Sequence, residues 1–106
     1  MKIRVILPDE SHRDIIGKNG HSVMEALRAG GVPIRAECGG AMACATCHVH
    51  VLPDWREAVG PAGDEESDLV DDSDYHTEAS RLSCQIDCTD RLNGLNVALQ
   101  LDALEE

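Results

Sequence analysis

The sequence predicts a single α+β domain, on three observations. At 106 residues the chain has length for one compact unit and not for two ordinary ones, so one domain spanning 1–106 is expected. Short aliphatic strand-like runs interleave with helix signals without a regular βαβ rhythm. Hydrophobic residues make up 42%, enough for a core, but Trp55 and Tyr75 are the only aromatics, so that core must be aliphatic.

The elements follow in order. "KIRVIL" alternates weakly and reads as a first strand, ended by Pro8 and Asp9. "HRDIIG" is its return strand, which makes an N-terminal hairpin. "SVMEALRAGG" has helix punctuation at both ends: Ser22 caps, Glu25 completes a capping box, and Gly30 and Gly31 close the C-terminus. Val23, Met24, Ala26 and Leu27 would pack on the hairpin. A cysteine-rich loop comes next, left by a third strand, "HVHVL". The polar segment "GPAGDEESDLVDDSDYHT" holds a short helix from about Asp64 to Asp72. "RLSCQI" and "LNVAL" are read as two last strands joined by a turn at "DRLNG".

Charge narrows the partners. Acidic side chains number 20 against 9 basic ones, for a formal net charge of −11. Nucleic acid and anionic membrane surfaces are both disfavoured, whereas a basic protein partner is the natural complement. No stretch reads as a signal peptide or transmembrane helix. Five cysteines without an export signal favour a metal site in a reducing compartment over a disulfide framework.

The chemistry concentrates in "AECGGAMACATCHVHV". Cys38 is followed by five residues, Cys44 by two, and Cys47 by 36 before Cys84. Four thiolates can surround a tetrahedral zinc or an iron–sulfur cluster. Structural zinc sites usually come as two short knuckles, whereas here three thiols come from one loop and the fourth arrives alone. That asymmetry favours a 2Fe-2S cluster, with zinc the rival and a redox Cys44–Cys47 pair the least supported. Gly39, Gly40, Ala41, Ala43 and Ala45 leave room for backbone N–H groups to approach the sulfides. On spacing alone either Cys84 or Cys88 could be the distal ligand. A Rieske centre is rejected, because only one suitably placed cysteine–histidine pair exists.

"CGGAMACATCHVHV", with "SRLSCQI" and "DRLNGL", closely resembles the 2Fe-2S ferredoxins of the adrenodoxin and putidaredoxin type. The likeness covers nearly the whole chain, and the five-residue first gap separates it from plant-type ferredoxins, which have four. The resemblance implies a β-grasp fold, a mixed sheet clasping a helix with the cluster loop near the surface. It implies Cys38, Cys44, Cys47 and Cys84 as ligands, leaving Cys88 a spectator on the last strands. It also implies that His48 bridges the cluster loop to the segment carrying the acidic helix.

Between Arg56 and Arg81 there is no lysine or arginine, yet nine acids fall inside. At about 100° per residue, Asp64, Glu65, Asp68, Asp71 and Asp72 share one helix side. Glu66 falls between the apolar positions Leu69 and Val70 and fits poorly there. A solvated face is the ordinary meaning of such a run. Yet Asp71 and Asp72 oppose the helix dipole, so helix stability does not explain the cluster of acids. The resemblance implies docking of basic partners, chiefly on Asp68 and Asp71, with Asp64, Glu65, Glu66 and Asp72 in support.

The expected function is therefore one-electron carriage by a monomeric protein of the bacterial cytoplasm, with no enzymatic turnover of its own. Electrons would pass from a NAD(P)H-dependent flavoprotein reductase to an oxygenase, in the first instance a cytochrome P450-type haem-thiolate monooxygenase, through transient electrostatic contacts. Cluster assembly and Rieske oxygenases are the alternative destinations. A structural zinc-binding interaction module is the alternative of a different class.

Overall fold

The computed structural model describes residues 1–35 and 46–104. Five strands form one mixed sheet: β1 (Lys2–Ile6), β2 (His12–Ile16), β3 (His48–Val51), β4 (Ser80–Leu82) and β5 (Leu95–Leu99), in the order β2-β1-β5-β3-β4. β1 and β5 run parallel with Val5 opposite Val97, and every other neighbouring pair is antiparallel. A parallel pair needs a long crossover, and here everything between the hairpin and β5 supplies it. This is the α+β, β-grasp architecture that the sequence leads one to expect.

Alternation sets the core. Ile3 and Val5 of β1 are buried while Lys2 and Arg4 face water; Leu95, Val97 and Leu99 of β5 repeat the pattern. The buried face is covered by α1 (Val23–Ala29), whose Val23, Met24, Ala26 and Leu27 all point inward. The capping box is present: Ser22 Oγ accepts the Glu25 N–H at 3.1 Å and Glu25 Oε1 accepts the Ser22 N–H at 3.5 Å. The Val23 N–H also donates to the Ile86 carbonyl, 2.7 Å away, tying the start of α1 to the segment beyond β4.

Two further helices, α2 (Arg56–Val59) and α3 (Asp64–Asp71), lie between β3 and β4. "RLSCQI" is not a continuous strand, since β4 stops at Leu82 and Ser83–Gln85 turn as a 3-10 helix. The turn lifts Cys84 out of the sheet. Beyond β5, a 3-10 turn at Leu101–Ala103 leads back to the residues entering the cysteine loop, where Arg35 N–H donates to the Ala103 carbonyl at 2.8 Å. No helix among the described residues is long and apolar enough to cross a membrane.

Candidate metal centre

Cys47 lies in the turn just before β3 and is buried; Cys84 sits half-buried in the turn after β4. The antiparallel register pairs His48 with Leu82, so the next step along the two strands brings Cys47 beside Ser83. Ser83 then holds the junction twice, its N–H donating to the Cys47 carbonyl at 3.0 Å and its hydroxyl at 2.8 Å. Both lone pairs of that carbonyl are thereby engaged. The result is a Cys47 Sγ–Cys84 Sγ separation of 3.4 Å.

That distance is far too long for a disulfide, whose sulfurs lie about 2.05 Å apart. It suits a shared metal: two thiolates at about 2.3 Å from one tetrahedral ion lie about 3.8 Å apart. The chemistry of the donors agrees. The hydrogen bond with Cys47 pulls the Cys84 thiol down to about 6, helped by the Gln85 amide 3.4 Å away and opposed by burial. A thiol so placed surrenders its proton readily to a metal. Cys38, Cys44 and the small residues Gly39, Gly40, Ala41, Ala43 and Ala45 lie outside the described residues.

Cys88 has a different setting. It is buried against Gly17, where an added Cβ would come within 2.7 Å of its Sγ and within 3.4 Å of the Ile3 and Met1 side chains. Its backbone N–H donates to the His21 carbonyl, and burial pushes its thiol up. It lies in the segment after the Ser83–Gln85 turn rather than on a strand.

His48 is fully buried at the start of β3 and joins three elements. Its Nδ1 lies 3.2 Å from both carboxylate oxygens of Asp102 and 3.3 Å from Ser73 Oγ, just beyond α3. Its Nε2 is 2.7 Å from Ser80 Oγ. The Ser80 oxygen already accepts the Thr77 N–H, so its proton is available for Nε2 and Nδ1–H faces Asp102. Burial pushes the imidazole below its ordinary range against the pull of Asp102, which matches this neutral form. Sequence reasoning reached His48 but missed Ser73, Ser80 and Asp102, which are distant in the chain and carry no spacing signal.

The acidic helix divides. Asp64, Glu65, Asp68, Asp71 and Asp72 are exposed. Glu66 is not: it is 4% exposed, and this overturns its place among the docking acids. Arg81 grips it with Nε at 2.6 Å and Nη2 at 3.2 Å, and the Leu82 N–H adds a third bond at 2.8 Å. An apolar position on α3 thus holds a carboxylate because a buried guanidinium from β4 meets it there. Arg81 belongs to "SRLSCQI", where residue pattern alone gives no sign of this partner.

The 2Fe-2S iron–sulfur cluster binding domain family matches residues 6–89. The ferredoxin CarAc of Sphingomonas sp is 49% identical over 81 residues, covering 76% of this chain and 74% of that protein. The crystal structure of a ferredoxin from Rhodopseudomonas palustris HaA2 superposes with a TM-score of 0.90 at 36% identity, covering 97% and 99% of the two chains. A chain of the covalent putidaredoxin reductase–putidaredoxin complex superposes at 0.87 with 33% identity, covering 93% and 97%. With its paired thiols and mixed sheet, the chain belongs to the 2Fe-2S ferredoxins of the adrenodoxin and putidaredoxin type, electron carriers rather than catalysts, with a 2Fe-2S cluster as cofactor.

Proposed function

We propose that this ferredoxin is a single functional domain over residues 1–106, working as a monomer in a bacterial cytoplasm. It accepts electrons from a NAD(P)H-dependent flavoprotein reductase and delivers them to a haem-thiolate monooxygenase. Cys38, Cys44, Cys47 and Cys84 hold the cluster, which when bound stores and releases one electron. The observation that carries the ligand reading is the 3.4 Å approach of Cys47 and Cys84. Cys88, packed against Gly17, is a core residue in this scheme.

The rest of the chain shapes the site. Ser83 holds the two ligand-bearing segments together through the Cys47 carbonyl. In this scheme the small residues Gly39, Gly40, Ala43 and Ala45 would let backbone N–H groups approach the sulfides, where hydrogen bonds tune the potential. Asp64, Glu65, Asp68, Asp71 and Asp72 present a one-sign surface that steers a basic partner at low ionic strength. The putidaredoxin–reductase complex among the similar structures supports a flavoprotein donor for this chain too.

Reconstitution tests the scheme. The purified protein should be red-brown and give an S = 1/2 EPR signal on reduction, whereas colourless protein with stoichiometric zinc would refute it. With a putidaredoxin-type reductase and a monooxygenase, electron flow should fall steeply as salt rises. Efficient reduction of a cluster-assembly scaffold or a Rieske oxygenase, but not of the monooxygenase, would redirect the acceptor. Cys84→Ser should abolish the native cluster spectrum and Cys88→Ser should keep it; the reverse result would overturn the ligand set.

A further inference from the structure

α3 does two jobs with two sets of acids. Its exposed carboxylates face water, while Glu66 turns inward to Arg81 and the Leu82 N–H. From Leu82 the connection to the metal centre is immediate. Ser83 binds the Cys47 carbonyl through two hydrogen bonds, and Cys84 follows. Arg81 also reaches past Cys84, its Nη2 lying 3.5 Å from the Gln85 carbonyl, while Gln85 donates to Cys84 Sγ. A third contact runs from Arg81 Nη1 to the Gly60 carbonyl at 2.8 Å, ahead of α3. The guanidinium therefore spans the turn that carries Cys84 and locks it to the helix in front.

We infer that Glu66 and Arg81 are positioning residues for electron transfer: the inward carboxylate of the acidic helix and the strand-borne guanidinium together fix the orientation of Cys84 at the cluster. This rests on Cys84 being a ligand, whereas the docking role of the exposed acids of α3 stands or falls separately. Bidentate geometry is what a lysine cannot reproduce, although it carries the same charge. Arg81→Lys therefore separates orientation from electrostatics. The placement of a ligand sulfur and the hydrogen bonds around it set cluster potential, so a reoriented Cys84 must register there.

The experiment uses the cluster-loaded protein and measures visible circular dichroism, reduction potential and affinity for an oligolysine peptide at low salt. Arg81→Lys is expected to alter the visible spectrum and the potential while binding oligolysine as the parent does. Glu66→Gln, which removes one buried negative charge, should alter the spectrum likewise and move the potential upward. Asp68→Asn should do the opposite, keeping the parent spectrum and weakening oligolysine binding by about two- to five-fold. Arg81→Lys with parental spectrum and potential overturns the inference. Where that variant retains no cluster, Glu66→Gln supplies the same readouts, and parental values there overturn it equally. If Asp68→Asn binds oligolysine as tightly as the parent, the docking surface is refuted instead, and the spectra still judge the positioning role.

Discussion

α1 and α3 are helices of seven and eight residues held in place by opposite means. α1 carries its own punctuation, a two-way capping box at Ser22 and Glu25, and buries four aliphatic side chains under the sheet. α3 is preceded by Gly63, which offers no side-chain cap; it ends among acids that oppose its dipole and buries only Glu66 and Val70. Apolar area anchors the first, whereas one buried ion pair does much of that work for the second. The difference teaches that a helix can give up local stability to display charge, provided one tertiary contact holds it down.

Removing that contact should have the largest effect. Arg81→Met leaves Glu66 buried without its partner and should cost about 3–5 kcal/mol. A drop in the unfolding midpoint of the cluster-loaded protein, followed by visible circular dichroism, checks this. A change no larger than that of an exposed arginine such as Arg4 would erase the contrast between the helices. Ser22→Ala should be milder, about 1 kcal/mol, because α1 keeps its apolar face when its cap is lost. Denaturant titration measures that loss.

Asp72→Asn completes the series. It removes a negative charge from the C-terminal end of α3, where the dipole disfavours it. The unfolding midpoint should stay level or rise, with a gain of at most about 0.5 kcal/mol. Partner reduction rates at low salt should fall in the same variant. A clear loss of stability would mean that Asp72 is a structural cap rather than part of a display surface.

Much of this molecule can be read without coordinates wherever the determining contacts are near in sequence. Ser22 and Glu25 predict their own helix because the two groups bond to each other across one turn. The strands "KIRVI" and "LNVAL" declare themselves by period-two burial. Glu66 could be flagged only as a misfit, since its partner lies 15 residues away on another strand. Sequence pattern also ran "RLSCQI" on as a strand, because the turn at Ser83 is stabilised by the Cys47 carbonyl, 36 residues earlier.

The α+β class, the capped helix, the acidic run and a cysteine spacing that resembles one kind of ferredoxin are all legible in one dimension. Those are local patterns of residue type, and local patterns survive in one dimension. Folding in three dimensions is what sets Cys84 3.4 Å from Cys47 while packing Cys88 against Gly17. Only it turned Glu66 inward and gathered Ser73, Ser80 and Asp102 around His48. The reason is physical. A buried charge or imidazole must find partners wherever the fold brings them, and sheet pairing, rather than chain order, decides who arrives.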